Sequence, residues 1–150
     1  MMVEGKWYAP GTDFPEAEAI RLAVFGRGRD ALDDESWNVL VWHDGQPAAT
    51  GRLWWRDGAF WLGDVAVAEH LRRRRLGDLT LRLLLFKAET HAARLIRLTA
   101  PQDVAPFFAR LGFRPEGSAS AGMQPMLLRG EELCLDTCQG CKKDCPNRRD

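Results

Sequence analysis

Two Asp-Gly pairs, Asp44-Gly45 and Asp57-Gly58, separate three runs of strand-forming residues. Pairs of this type favour the two-residue turns that join antiparallel strands. The runs are rich in aromatic and aliphatic residues, and they span residues 37–42, 48–56 and 59–67. This segment therefore predicts an antiparallel meander of three strands. The third run is almost continuously apolar except for Asp64, so it is expected at the centre of a sheet that is covered on both faces.

Apolar residues at helical spacing occur on both sides of this meander. From residue 14 they recur every three or four positions until Gly26, which predicts a first helix with Thr12 and Asp13 as its cap. Residues 27–35 are polar, so we expect a loop or a short, mobile helix in which little is buried. A wide apolar face over residues 76–93 predicts a long buried helix.

The remaining predicted elements are shorter. We expect a strand over residues 95–99, a helix over residues 102–112 and two closing strands over residues 113–114 and 126–128. The order helix, three strands, helix, strand, helix and two strands is typical of an α+β or mixed α/β fold. We therefore expect a single α/β domain over residues 1–129, followed by a cysteine-rich tail over residues 130–150.

Length and charge narrow the functional classes. The chain has 150 residues, of which 45% are hydrophobic, as expected of one globular domain. Its 21 Lys and Arg residues balance 21 Asp and Glu residues, which argues against a nucleic-acid partner. No apolar run approaches the roughly 18 residues of a membrane helix, and residues 1–10 lack the apolar stretch of a signal peptide. We therefore expect a cytoplasmic protein without a membrane partner.

Four consecutive arginines stand between the third strand and the long helix. The first amides of a helix have no backbone acceptor, the helix dipole favours negative charge there, and guanidinium groups add charge-assisted hydrogen bonds. The junction therefore predicts an anion site that would fit a pyrophosphate, formed by Arg72, Arg73, Arg74, Arg75, Leu76 and Gly77. The alternative interpretation is a solvated turn without a ligand.

Three motifs follow one another along the chain. They are a V-A-V strand at residues 65–67, this Arg/Gly junction at residues 72–77 and a short helix ending in F-A-R-L-G-F at residues 107–113. The succession resembles the GNAT superfamily of acyl-CoA-dependent N-acyltransferases, whose main motif is V-A-V followed by R/Q-x-x-G-x-G/A and whose next segment ends in F-Y-E-K-L-G-F. Segments that look like one GNAT subgroup are Ile20-Arg21 with Val24-Phe25, Gly51-Arg52-Leu53 and residues 122–126. The resemblance covers about residues 14–129.

The resemblance implies a mixed, mostly antiparallel sheet flanked by helices, and transfer of an acetyl group from acetyl-CoA to a primary amine of a small molecule or peptide. The amine attacks the thioester directly, so no covalent residue is required. The resemblance also implies CoA contacts from the backbone of Val65, Ala66 and Val67, from residues 72–77 and at the position of Phe108. The expected partners are acyl-CoA and an amine acceptor, and a homodimer is left open.

Asp64 is the carboxylate nearest to the thioester position that the resemblance implies, because it directly precedes Val65. It is therefore our candidate for the base that removes the amine proton, directly or through water. The alternative interpretation is structural, with Asp64 as a partner of Arg52 across the sheet.

Three positions depart from the family motifs. Arg75 replaces the first glycine, Pro101 replaces an Asn or Gln, and Phe108 replaces the tyrosine that often protonates the CoA thiolate. Phenylalanine has no proton to give. The departures leave two alternatives to catalysis: a non-catalytic acyl-CoA-binding or sensing module, and a metal-dependent docking protein that binds no CoA.

All four cysteines lie in the tail, at Cys134, Cys138, Cys141 and Cys145. Their spacing is typical of metal ligands, and a cytoplasmic protein has no oxidising compartment that favours disulfides. Zinc is the common structural metal, whereas the compact spacing and the final Cys145-Pro146 resemble the ligand run of bacterial ferredoxins, so an iron-sulfur cluster is an alternative. Free thiols or redox disulfides are the interpretation without a metal.

Overall fold

The computed structural model describes residues 2–132 of the chain. In this range the seven strands are β1 (Val3–Tyr8), β2 (Ser36–His43), β3 (Gln46–Arg56), β4 (Ala59–Val67), β5 (Leu95–Pro101), β6 (Arg114–Pro115) and β7 (Met123–Arg129). The three α-helices are α1 (Pro15–Phe25), α2 (Leu76–Thr90) and α3 (Ala105–Ala109). Short 3-10 helices span Ala31–Asp34, Glu69–Leu71 and Gly130–Glu132. Every element predicted from the sequence is present.

The strands form one sheet in the order β1-β2-β3-β4-β5-β7-β6. The pairs β1–β2, β2–β3, β5–β7 and β6–β7 are antiparallel. In contrast, β4 pairs with β5 in parallel, at Phe60–Ile96 and Trp61–Arg97. Both Asp-Gly turns have the two positive φ angles of a type I′ turn, 49° and 81° at Asp44-Gly45 and 53° and 77° at Asp57-Gly58. The predicted mixed, mostly antiparallel α/β fold is confirmed.

Strand β1 is an addition to the predicted elements. It runs antiparallel to β2 from the pair Val3–His43 to the pair Tyr8–Asn38. Most of its residues are exposed, so its sequence lacks the alternation of apolar and polar residues that marks a half-buried strand. Pairing with the free edge of β2, rather than burial of side chains, accounts for this strand.

The chain divides into two compact units, and the first comprises residues up to Trp55 together with residues 62–87. In this unit Leu40 packs on the α1 side, in a cluster with Phe14, Ala17, Ile20 and Ala66. The next residue, Val41, packs on the α2 side with Ala48, Ala49, Leu71 and Leu76. Because successive strand residues point to opposite faces, the two helices cover opposite faces of these strands.

Helix α1 begins and ends for different reasons. Its N-cap is the buried Phe14, which makes no capping hydrogen bond from its side chain, and Pro15 opens the first turn. The predicted cap by Thr12 and Asp13 is therefore wrong. The predicted stop is confirmed, because Gly26 has a φ of 72° and its N–H donates to the Leu22 carbonyl at 2.8 Å.

The second compact unit consists of residues 56–61 and the described residues from Ala88 onward. Strand β5 pairs with β7 along its whole length, from Leu95–Arg129 to Pro101–Met123. The core residues on these two strands are Ile96, Leu98, Ala100, Met126 and Leu128. None of the helices within residues 2–132 is both long and apolar enough to cross a membrane.

Candidate active site

A buried network of charged side chains lies in the first unit. The guanidinium of Arg21, which is fully buried on α1, donates to the two carboxylate oxygens of Asp33 at 2.8 and 3.2 Å. It also donates to Asn38 Oδ1 on β2 at 2.7 Å, and Asn38 Nδ2 donates back to Asp33 at 3.3 Å. A buried arginine needs such partners, because an unpaired charge is costly in the interior.

Asp33 reaches this network from the segment that the sequence predicts to bury little. The 3-10 helix Ala31–Asp34 starts with a capping box, in which the Asp30 side chain accepts from Leu32 N–H and the Asp33 side chain accepts from Asp30 N–H. Asp33 is 1% exposed, so the expectation for residues 27–35 is wrong in this respect. Burial acts to raise the pKa of Asp33, but the hydrogen bonds from Arg21 and the Asp30 backbone outweigh it and lower the pKa to about 2.

Arg52 on β3 joins three carboxylates. It donates to both oxygens of Asp30, at 2.7 and 3.1 Å, and its Nη1 lies 3.3 Å from Asp33 Oδ1. Its Nε lies 2.6 Å from Asp64 Oδ2 on β4. Burial acts to lower the pKa of Arg52, but the bond to Asp30 and the nearby carboxylate charges raise it. The expected partnership of Arg52 and Asp64 across the sheet is confirmed.

Asp64 has an unusual backbone for a residue inside a strand. Its φ is 53°, a left-handed conformation that is uncommon for a residue other than glycine. Its other carboxylate oxygen, Oδ1, accepts from Arg27 Nη2 at 2.5 Å. The side chain remains 12% exposed. A carboxylate has about four acceptor positions, so these two partners leave some of its acceptor capacity unused.

The arginine turn, residues 72–75, is exposed and conformationally strained. Arg73 and Arg75 have φ angles of 67° and 60°, so Arg75 retains the left-handed backbone that a glycine would adopt at this motif position. Leu79 N–H donates to the Arg75 carbonyl at 3.1 Å as the first bond of α2. The amides of Leu76 and Gly77 therefore precede the helical hydrogen-bond ladder.

Close packing fixes this turn against the sheet. A Cβ on Gly77 would lie 3.4 Å from Val67 Cγ2 of β4, and a Cβ on Gly51 of β3 would lie 2.8 Å from Leu84 Cδ1 of α2. In addition, Arg72 Nε donates to the Val67 carbonyl at 3.4 Å. The start of α2 thus lies next to the end of β4, and at Gly51 the missing side chain allows the close approach of α2 to β3.

The structure brings most of the candidate residues into the first unit. Asp64 and residues 65–67 lie on β4, and residues 72–77 form the turn and the start of α2. Phe108 lies in the second unit, where its ring packs edge-on against Phe107 and Phe113 at centroid distances of 5.3 and 5.8 Å. These contacts are apolar, as expected for a residue without a titratable proton.

One contact of the site has no counterpart among the residues selected from the sequence. Arg27 directly follows Gly26, and it was expected only as part of a polar loop. The sequence carries a weak signal for the buried network, since Arg21 interrupts the apolar stripe of α1. It carries none for Arg27, whose position depends on the left-handed backbone at Gly26 and at Asp64.

The metal prediction lies beyond the described residues. No group of three or more His, Cys, Asp or Glu residues within residues 2–132 is arranged to hold a metal ion. The four cysteines, Cys134, Cys138, Cys141 and Cys145, all lie outside this range, so their metal-binding role stays a prediction.

Solved structures of known proteins resemble this fold. The chain is similar to an acyl-CoA N-acyltransferase from Pseudomonas aeruginosa (TM-score 0.76, 19% identity, 85% of this chain and 99% of that one). It is similar to Escherichia coli ElaA (TM-score 0.71, 19% identity, 85% and 100%) and to a Bacillus subtilis acetyltransferase in complex with CoA (TM-score 0.65, 15% identity, 84% and 99%). No curated protein sequence matches significantly.

A sequence model of one family covers more than half of the chain. It is the model of the acetyltransferase (GNAT) family, and it matches residues 6–113, which include β4, the arginine turn and α2. The expected acyl-CoA-dependent activity follows from this match, in agreement with the V-A-V strand and the arginine turn described above. The chain therefore belongs to the GNAT family of acetyltransferases.

Proposed function

We propose that this protein transfers an acetyl group from acetyl-CoA to a primary amine of a small molecule or peptide. The lone pair of the neutral amine attacks the thioester carbonyl carbon, so that a C–N bond forms and the C–S bond breaks. The amine loses one proton and the CoA thiolate gains one, and the products are the N-acetyl amine and free CoA. No covalent enzyme intermediate is needed.

The observation that carries this proposal is the succession of β4, the exposed arginine turn and the start of α2 in one compact unit. The amides that precede the helical ladder and the guanidinium groups of residues 72–75 supply donors for the CoA pyrophosphate. The backbone of Val65, Ala66 and Val67 supplies the contacts to the thioester carbonyl and the pantetheine arm. A neighbouring fold with CoA bound supports this assignment.

Asp64 is the proposed base. It has acceptor capacity beyond its hydrogen bond from Arg27 and its ion pair with Arg52, and it is partly exposed next to Val65. The two guanidinium groups fix the orientation of the carboxylate, which a base needs in order to meet the amine proton directly or through one water.

Phe108 favours the second candidate function, a non-catalytic acyl-CoA-binding or sensing module. Its ring lies among Phe107 and Phe113 and has no proton for the departing thiolate. In the catalytic proposal this proton comes from solvent. The two functions differ in one measurable respect, because a sensing module binds acetyl-CoA without turnover on any amine.

The test is a mass-spectrometric screen for N-acetyl products with acetyl-CoA and a panel of primary amines. The wild type should acetylate at least one amine, and Asp64→Asn should lower kcat by at least about 100-fold while acetyl-CoA affinity stays within about twofold. Asp103→Asn, an exposed aspartate of the second unit, is the charge-matched control. Binding without any turnover would favour the sensing module, and full activity of the Asp64 variant would exclude its role as base.

We further propose that residues 1–129 form the acetyltransferase domain and that residues 130–150 form an appendage that binds zinc or an iron-sulfur cluster. Protein purified without oxygen should contain metal, and replacing all four cysteines by serine should remove it. The thermal transition of the main domain should change little, because that domain has its own core. Absence of metal in the wild type would favour free thiols or redox disulfides instead.

A further inference from the structure

The end of α1 presents an arginine that is oriented before any ligand binds. The left-handed turn at Gly26 reverses the chain, and the Arg27 guanidinium comes to lie 5.2 Å from the centre of the Phe25 ring. Its Nη2 donates to Asp64 Oδ1. An aromatic face on one side and a carboxylate at one edge hold the planar group in a single orientation.

Most of the hydrogen-bonding capacity of Arg27 remains available. Its side chain is 51% exposed, and within residues 2–132 only Nη2 has an acceptor. Arginine has five N–H donors in a fixed fork, which matches a carboxylate bidentately. The neighbouring carboxylates are already engaged, since Asp30 binds Arg52 and Asp33 binds Arg21. The remaining donors of Arg27 are therefore available to a carboxylate from outside the chain.

Apolar surface lies on the same part of α1. Leu22 and Phe25 are three residues apart on the helix and so lie on one face, and they are 53% and 40% exposed. This surface therefore offers three kinds of contact. They are the exposed apolar side chains of Leu22 and Phe25, the half-exposed guanidinium of Arg27 and the partly exposed carboxylate of Asp64.

The charge balance of the network selects the kind of ligand. Three arginines, Arg21, Arg27 and Arg52, meet three aspartates, Asp30, Asp33 and Asp64. A ligand with both an ammonium and a carboxylate group leaves this balance unchanged. A simple cationic amine has to compete with Arg27 for Asp64, whereas an amine with a carboxylate on the adjacent carbon can bind both groups at once.

We propose that the acceptor is an α-amino acid with an apolar side chain. Its carboxylate binds Arg27, its amine lies at Asp64, and its side chain packs on Leu22 and Phe25. The α-amino and carboxylate groups of such a molecule stand on one carbon atom, and the two protein groups that receive them are themselves in direct contact. The inference rests on the proposed acetyl transfer and specifies its acceptor.

The test compares leucine with 3-methylbutylamine, which is leucine without its carboxylate, as acceptors for the full-length protein with acetyl-CoA. The wild type should have a kcat/KM at least about tenfold higher for leucine, in line with the strength of charge-assisted hydrogen bonds. Arg27→Gln should lower the ratio of kcat/KM for leucine to kcat/KM for the amine by at least about tenfold, because any change in the orientation of Asp64 affects both acceptors alike. Arg27→Lys should restore the leucine activity in part, because it keeps the charge but not the fork.

Arg94→Gln is the matched control, since it removes the same charge at an exposed position of the second unit. It should leave both acceptors unaffected. Equal use of the two acceptors by the wild type, or an unchanged ratio of the two kcat/KM values in Arg27→Gln, would overturn the inference and leave the acetyltransferase proposal intact.

Absence of acetylation with every amine would instead contradict the acetyltransferase proposal. The arginine site is then tested without turnover, by calorimetric titration of N-acetylleucine into protein saturated with CoA. Binding that weakens at least about tenfold in Arg27→Gln supports the carboxylate site. Absence of binding, or equal affinity in both proteins, overturns it.

Discussion

Arginines occur in two contrasting settings of the first unit, the buried network around Arg21 and the exposed turn at residues 72–75. In the network, Arg21 is fully buried and its partners come from the 3-10 helix and β2. In the turn, all four arginines are exposed and two of them have left-handed backbones. Arginine side chains thus stabilise the fold in the network and remain available to a ligand in the turn.

Pairing, rather than the presence of charge, separates arginines that stabilise the fold from arginines that are available to a ligand. A buried guanidinium is costly unless the chain supplies its acceptors, so its partners belong to the fold. An exposed guanidinium costs little when unpaired, so backbone strain beside it suggests a role in binding. Arg27 lies between these cases, since it is half exposed and has one carboxylate partner.

The largest change in the free energy of unfolding is expected from a substitution in the buried network. Arg21→Met should lower the free energy of unfolding by about 3–5 kcal/mol, because it leaves the buried Asp33 without its main partner. Arg73→Met, the same substitution in the exposed turn, should change it by less than about 0.5 kcal/mol. Urea denaturation monitored by tryptophan fluorescence measures both. Equal small effects in the two variants would contradict the contrast.

The second prediction uses acid to weaken the network. The pKa of Asp33 is about 2 in the folded chain against 3.8 for an unperturbed aspartate, so the folded form binds the proton less readily than the unfolded form. Its stabilisation is complete above the unfolded value and is lost as the pH falls toward 2. This group should contribute about 2 kcal/mol of acid-dependent stability, measured by denaturation between about pH 6 and pH 2.

Asp33→Asn should remove that contribution, giving a less stable protein near neutral pH with a flatter acid profile. Asp34→Asn is the control, because the side chain of Asp34 is mostly exposed and binds only at the surface to Arg29. It should retain the acid dependence of the wild type. An Asp33 variant with the same acid profile as the wild type would show that the network does not set this dependence.

The smallest expected effect concerns the strain of the exposed turn. Arg75→Gly and Arg75→Ala both remove the guanidinium, but only glycine adopts a φ of 60° without steric cost. The glycine variant should therefore be more stable than the alanine variant by about 1 kcal/mol. At Arg74, whose φ is not positive, the order should reverse, since glycine gains more entropy on unfolding. The same order at both positions would contradict the assigned backbone.

The sequence predicts the sheet and the helices well because their signals are local. The Asp-Gly turns specify hairpins through the positive φ angles that they favour, and Gly26 ends α1 by the same property. Strand β1 escapes prediction because it is stabilised by pairing with the edge of β2, a contact between residues far apart in the chain. The false cap at Thr12 arises because Phe14 takes the N-cap position as a buried core residue.

The candidate site was predictable where it follows a motif and unpredictable where it depends on tertiary contacts. Residues 65–67 and 72–77 belong to one continuous strand–turn–helix segment, so their proximity follows from the order of elements. The pairing of Arg52 with Asp64 follows from neighbouring strands. Arg27 has no such signal, because its contact with Asp64 joins a loop to strand β4 across 37 residues of sequence.

The assignment of the arginine turn as the CoA site is tested by calorimetric titration of acetyl-CoA into the wild type and Arg72→Glu/Arg74→Glu. We expect micromolar binding to the wild type and a loss of affinity of at least about tenfold on charge reversal, because each charge-assisted hydrogen bond contributes about 1.5–3 kcal/mol. The unfolding transition of the variant should remain near that of the wild type, since both residues are exposed. No binding to the wild type, or unchanged affinity of the folded variant, would contradict the assignment of the turn as the CoA site.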